Sequence, residues 1–218
     1  MNRKAFIFDM DGTIIDSMPT HVTSWARALG EFGHTTSTEE LHKNNWGNVY
    51  DVVRSILGDD LSDDQVSQIA VRKEELFRET YRSDLRLIDG LDTFLNDVKR
   101  VGIPMALATN AGWDNINYVL DGLGIGNYFN TIISGMDVDR AKPDPEMFLK
   151  AACGLGVDPA NCIVFEDSAN GIEAADAAGM RIVLVKTFHK PQFYDSHPSI
   201  VRTIRDYHEI SVEELLVV

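Results

Sequence analysis

The chain has 218 residues, 44% hydrophobic and 25% charged, which suits one soluble domain or a core domain carrying a smaller insertion. Its 20 basic and 34 acidic residues give a formal net charge of −14. That is the wrong sign for gripping a nucleic-acid backbone, and no apolar run approaches the ~20 residues of a membrane span.

Residues 2–4, Asn-Arg-Lys, lead straight into a short apolar run and two acids, which is not the pattern of a signal peptide. The run itself, Ala-Phe-Ile-Phe at 5–8, is apolar at every position. It reads as a central parallel strand buried on both faces. Residues 17–86 contain no further strand-like run. Pro19 opens a helix with Val22, Trp25, Ala26, Leu29 and Phe32 on one face, and Val49, Val52, Val53, Ile56 and Leu57 mark a second. The stretches 37–40 (Ser-Thr-Glu-Glu) and 62–65 (Ser-Asp-Asp-Gln) read as capping boxes. The segment 44–48, Asn-Asn-Trp-Gly-Asn, reads as a helix–helix loop in which Trp46 packs or shields. Residues 17–86 are therefore expected to form an all-helical insertion.

From residue 87 the pattern alternates. Strand-like runs at 104–109, 131–134, 162–165 and 181–185 are separated by helical repeats. Leu91, Phe94, Leu95, Val98 and Val101 precede Gly102, and Ile116, Val119, Leu120 and Leu123 precede Gly124. Asp144 and Pro145 read as an N-cap and first helical residue. The alternation predicts a doubly wound, Rossmann-like α/β sheet formed by 1–16 and 87–218. Cys153 and Cys162 have no CxxC partner and read as buried, reduced thiols, as expected in the cytoplasm.

In open parallel sheets, ligands bind beyond the carboxyl ends of the strands. Asp9 and Asp11 fall just past the first such end. Two carboxylates this close repel unless a cation joins them or one keeps its proton. The pair therefore points to a metal, to acid–base chemistry or to both, or to a turn whose aspartates cap the next helix. Thr109 and Asn110 end the second core run, Lys142 follows the third, and Glu166, Asp167 and Ser168 end the fourth. A hydroxyl and an ammonium suit phosphoryl oxygens, and the carboxylates suit Mg²⁺, a hard cation.

The motifs DMDGT (9–13), ATN (108–110), KPDP (142–145) and FEDSANGIEAADAAGM (165–180) resemble, in order, the four motifs of the haloacid dehalogenase superfamily. The similarity is to its phosphatases and phosphomutases with a helical cap, in the β-phosphoglucomutase-like branch. The resemblance implies a phosphoric monoester hydrolase acting on a small phosphorylated metabolite; no nucleic-acid or membrane partner is expected from the charge and the apolar runs, and a monomer or small homo-oligomer is expected. It implies Asp9 as nucleophile and Asp11 as acid and base. Thr109 and Asn110 would bind phosphate, and Lys142 would neutralise charge. Mg²⁺ would sit on Asp9, the Asp11 backbone carbonyl, Asp167 and Glu166, the last directly or through water. Ser168 reads as a helix cap, and Gly171 as a close-packing position.

The insertion is expected to choose the substrate. Lys73 lies on an apolar stripe with Val66, Ile69, Ala70 and Phe77, and either snorkels to solvent or reaches the cleft. Lys73 and His21 match substrate-side residues of the phosphoglucomutase branch. That branch also carries an arginine three residues after the loop glycine, and a serine-lysine-asparagine run after its second motif. Here those places hold Tyr50 and Ala111-Gly112-Trp113, leaving Lys73 as the one cap cation expected at the cleft. The expectation is a phosphatase, with a sugar phosphomutase, an inorganic pyrophosphatase and a phosphonate hydrolase as alternatives.

Overall fold

The computed structural model describes residues 3–37, 41, 47–187 and 197–217. Strands β1 (Ala5–Phe8), β2 (Met105–Thr109), β3 (Thr131–Ser134), β4 (Cys162–Glu166), β5 (Arg181–Val185) and β6 (Ile200–Ile204) form one sheet in the order β3-β2-β1-β4-β5-β6. All its pairings are parallel. This is a Rossmann-like, doubly wound α/β fold, and its strand order reverses beside β1. The crevice of such a sheet opens where the order reverses, here between the ends of β1 and β4.

The alternation of β1 explains its wholly apolar sequence. Phe6 and Phe8 face one layer, which includes Phe94, Leu95 and Phe165. Ala5 and Ile7 face the other, with Ala106, Met147 and Phe148. Phe8 stacks on Phe165 of the neighbouring strand, with ring centroids 4.4 Å apart, a contact worth about 0.5–1.5 kcal/mol beyond its burial. Large rings on one face and small or aliphatic chains on the other fix the register that delivers Asp9.

Helices α1 (Met18–Glu31), α2 (Val49–Leu57) and α3 (Asp63–Tyr81) follow β1. They share a cluster of their own, including Trp25, Leu29, Val52, Val53, Ile69 and Ala70. Asn48 caps α2 by accepting from the backbone of Tyr50 and Asp51, and the expected Ser62–Gln65 capping box opens α3. The box expected at 37–40 and the Trp46 loop lie outside the described residues, apart from their flanking positions. Helices α4 (Leu91–Val101), α5 (Trp113–Leu123), α6 (Glu146–Leu155), α7 (Ala169–Ala177) and α8 (Val212–Leu216) complete the layers.

Three expectations are corrected. Helix α6 starts at Glu146, with Pro145 at the cap position; Asp144 still serves it by accepting from the Glu146 amide at 3.0 Å. Cys153 is exposed, because Met147, Phe148, Ala151 and Leu155 take the inner face of α6; Cys162 is buried as expected. Strand β6 was not anticipated. It is a half-exposed edge strand whose apolar run is broken by Arg202 and Thr203, so it lacks the continuous apolar signal of the central strands. Among the described residues no helix is long and apolar enough to cross a membrane.

Candidate active site

Pairing between β1 and β4 continues one residue past β1, where the Asp9 amide donates to the Phe165 carbonyl at 3.0 Å. The Asp9 carboxylate is thereby fixed beside Glu166 and Asp167. All nine residues expected at the site line one cavity of about 340 Å³: Asp9, Asp11, His21, Lys73, Thr109, Asn110, Lys142, Glu166 and Asp167. Its walls come from the strand ends below and from α1–α3 above.

Lys142 organises the floor. Its buried ammonium donates to Asp9 Oδ1 at 2.7 Å, to Glu166 Oε1 at 2.8 Å and to the Ala108 carbonyl at 3.0 Å, using all three protons. The Lys142 backbone amide donates to Asn110 Oδ1 at 3.3 Å. Glu166 Oε2 accepts from the Ser168 amide at 2.7 Å, and the Ser168 hydroxyl caps α7 as expected. Thr109 Oγ1 accepts from the Ala111 amide at 3.2 Å, which leaves its own proton to donate.

Asp9, Glu166 and Asp167 each offer a carboxylate oxygen within 4.8 Å of the others. Three ionised carboxylates against one ammonium would leave two negative charges uncompensated. Burial, with the Glu166 charge adding and Lys142 opposing, pushes Asp9 up to about 8. Burial and the Glu166 and Asp9 charges raise Asp167 well above the usual range. Lys142 is burdened by burial, but Asp9 and Glu166 outweigh this and hold it charged. Asp167 Oδ2 is buried without a hydrogen-bond partner. Two glycines leave room for these carboxylates. A Cβ on Gly12, whose φ is +88°, would lie 2.1 Å from Asp167 Oδ2, and one on Gly171 would lie 1.8 Å from Glu166 Oε1. An orphaned acceptor, a double excess of negative charge and an all-oxygen donor set fit a hard divalent cation. The structural use of Gly171 is thus to admit the Glu166 carboxylate, beyond the helix packing expected of it.

The Asp11 side chain points elsewhere. Its Oδ1 accepts from the Ser17 hydroxyl at 2.6 Å and meets His21 Nε2 at 3.0 Å. His21 Nδ1 lies 2.8 Å from Lys73 Nζ. The lysine donates, so Nδ1 accepts and Nε2 carries the proton given to Asp11. Burial works to raise Asp11, but His21, Ser17 and Lys73 outweigh it and hold the carboxyl below its usual range. His21 stacks on Phe77 at 3.9 Å, and Lys73 lies over the Trp25 ring at 5.2 Å. Lys73 is buried; of its two possible courses, the structure takes the one into the cleft.

Sequence reasoning missed the rest of this chain. Lys73 donates to Glu74 Oε1 at 2.9 Å, Asn115 donates to Glu74 Oε2 at 2.6 Å, and Arg78 donates to Asn115 Oδ1 at 2.7 Å. Arg78 also lines the cavity, so Lys73 is not the one cap cation there. Glu74 and Arg78 stand four apart on α3, a spacing that places them on one helix face. Nothing in the sequence marks Asn115, which meets them across 41 and 37 residues.

The family model for haloacid dehalogenase-like hydrolases matches residues 3–179. Fructose-1-phosphate phosphatase YqaB of Escherichia coli is 33% identical over 180 residues, 83% of this chain and 95% of that protein. The phosphorylated carbohydrates phosphatase of Thermotoga maritima is 33% identical over 178 residues, 81% of this chain and 82% of that one. Among solved structures, β-phosphoglucomutase from Clostridium difficile superposes with a TM-score of 0.86 at 26% identity, covering 99% of this chain and 96% of that one. With four motifs converging on one buried site, the chain belongs to the haloacid dehalogenase-like hydrolases, in their helical-cap, β-phosphoglucomutase-like branch, and is a phosphoric monoester hydrolase.

Proposed function

We propose that this hydrolase is a cytoplasmic, Mg²⁺-dependent phosphatase that cleaves a small sugar phosphate through an aspartyl-phosphate on Asp9. Residues 17–86 act as a cap domain over a core of 1–16 and 87–218. The observation that carries this reading is the buried Asp9 carboxylate, bound by Lys142 at 2.7 Å in the same cavity as Thr109, Asn110 and Asp11. A carboxylate in that position is a nucleophile whose phosphoryl adduct water can later discharge.

Thr109 and the Asn110 backbone bind the phosphoryl oxygens while Lys142 offsets their charge. Asp9 attacks phosphorus as the ester P–O bond breaks, and the departing alkoxide takes a proton from Asp11. Water then attacks the aspartyl-phosphate, giving its proton to Asp11, and inorganic phosphate leaves with Asp9 restored. His21 and Ser17 hold Asp11 as a carboxylate, the form needed for the second half. Before the first half Asp11 takes up a proton by relay: His21 gives its Nε2 proton to Asp11 as Lys73 gives one to His21 Nδ1, and the proton that water later leaves on Asp11 returns along the same path. Asp9, Glu166, Asp167 and the Asp11 carbonyl would hold Mg²⁺, which when bound neutralises the excess charge and polarises the phosphoryl oxygens.

The phosphatase names of the Escherichia coli and Thermotoga relatives support this reading. The likeness to β-phosphoglucomutase favours a mutase, but Tyr50, Gly112 and Trp113 stand where that reaction wants a grip on a second phosphate. The test is phosphate release from sugar phosphates, nucleotides, pyrophosphate and phosphonates, with Mg²⁺ and with excess chelator. Sugar phosphates should release phosphate only with the metal. Full activity in chelator, or release from pyrophosphate or phosphonates alone, would contradict the proposal.

A further inference from the structure

The cleft changes character from floor to mouth. Asp9, Thr109 and Lys142 at the floor are buried. Lys73, Glu74, Arg78 and Asn115 line the cavity with both donors and acceptors, a mixture that suits hydroxyl groups. At the mouth Trp113 is 39% exposed, Val71 49% and Met136 61%. Eight large apolar side chains are exposed among the described residues, and three of them line this one cavity. Exposed apolar surface gathered at a cleft marks a binding surface.

Trp113 opens α5, only four residues beyond Thr109. The intervening wall is Asn110, Ala111 and Gly112, and at Gly112 an added Cβ would meet nothing within 4 Å. Ala111 and Gly112 thus put little side-chain bulk between Asn110 and the indole. A second anionic group is poorly served here. Glu74 stands in the wall, Asp114 adjoins the indole, and Lys73 is already engaged by Glu74 and His21. Arg78 donates to Asn115, which donates in turn to Glu74, so its charge is set against that carboxylate.

We propose that Trp113 determines specificity by stacking its indole on a flat, uncharged ring at the far end of the substrate, so that phosphomonoesters bearing a planar ring are preferred over those without one and over doubly anionic ones. This inference rests on the phosphatase reading. Two matched pairs test it: uridine 5′-monophosphate against ribose 5-phosphate, and riboflavin 5′-phosphate against ribitol 5-phosphate. Within each pair the phosphate and its primary alcohol are alike and the planar ring is added. In the wild-type enzyme kcat/KM should favour the ring-bearing member by about tenfold or more in at least one pair, the scale of a single aromatic stack. Trp113→Ala should bring that ratio near one, chiefly through KM, and Trp113→Phe should restore much of it; circular dichroism checks that both variants fold. Ratios near one in both wild-type pairs, an unchanged ratio in Trp113→Ala, or a preference for 2-phosphoglycolate would overturn the inference while leaving a phosphatase. No phosphate from any compound would overturn the phosphatase reading and the inference with it.

Discussion

Glu166 shows how much of the site depends on side chains that are absent. Its carboxylate reaches Lys142 because Gly171 has no Cβ, and any side chain there would overlap Oε1 at 1.8 Å. Gly171→Ala must therefore displace Glu166 or shift α7. The expected result is a loss of about 1–3 kcal/mol, typical of overpacking in a tight interior, together with a drop in turnover as Lys142 loses a partner. A denaturation midpoint and kcat equal to wild type would show that the site absorbs the methyl group. Individual residues were only partly legible in the sequence. Asp9, Asp11, Thr109, Lys142, Glu166 and Asp167 sit in recognisable motifs at strand ends and meet as expected. Glu74, Arg78 and Asn115 were missed because their contacts bridge α3 and α5, far apart in sequence, and a polar residue type gives no local signal of such pairing.

The central strands were legible because burial on both faces leaves an unbroken apolar run, and β6 was not because an edge strand needs none. The junction of β1 with β4 is also where the fold concentrates charge. Asp9 is raised from an ordinary 3.8 to about 8, chiefly by burial, and Asp167 is raised as well. A raised carboxyl favours the folded state most below its unfolded value. That contribution is lost as pH climbs through the folded value. The metal-free protein should thus lose stability between about pH 4 and pH 8 on account of this pair. Asp11 and Glu74, held below the usual range, act in the opposite sense. Their contribution is present above the ordinary carboxyl value and fades only in stronger acid, outside this window. A divalent cation removes the penalty on the raised pair, so Mg²⁺ should raise the thermal midpoint more at pH 8 than at pH 5. Thermal unfolding with and without Mg²⁺ at the two pH values measures this, and an equal shift at both would contradict it.

On the scale of the whole molecule, a helical segment is set over a parallel sheet with the candidate site between them. One polar chain crosses the gap, from Asp11 through His21, Lys73 and Glu74 to Asn115 and Arg78. Asp11, proposed as the acid and base of the reaction, is thereby tied to the wall of the cavity. The helical insertion between β1 and β2 was legible in the sequence from the break in strand–helix alternation, whereas the way it meets the sheet was not, since that depends on side chains brought together only by folding. In the proposed reaction Asp9 takes the phosphoryl group and water removes it. The most direct measurement supplies β-glucose 1-phosphate with a catalytic amount of the 1,6-bisphosphate and follows both products, with Asp9→Asn in parallel. Inorganic phosphate should accumulate with little glucose 6-phosphate, and the Asn variant should fall by about a thousandfold or more, as expected when a nucleophile is removed. Glucose 6-phosphate forming well ahead of inorganic phosphate, or turnover surviving in the Asn variant, would contradict the account.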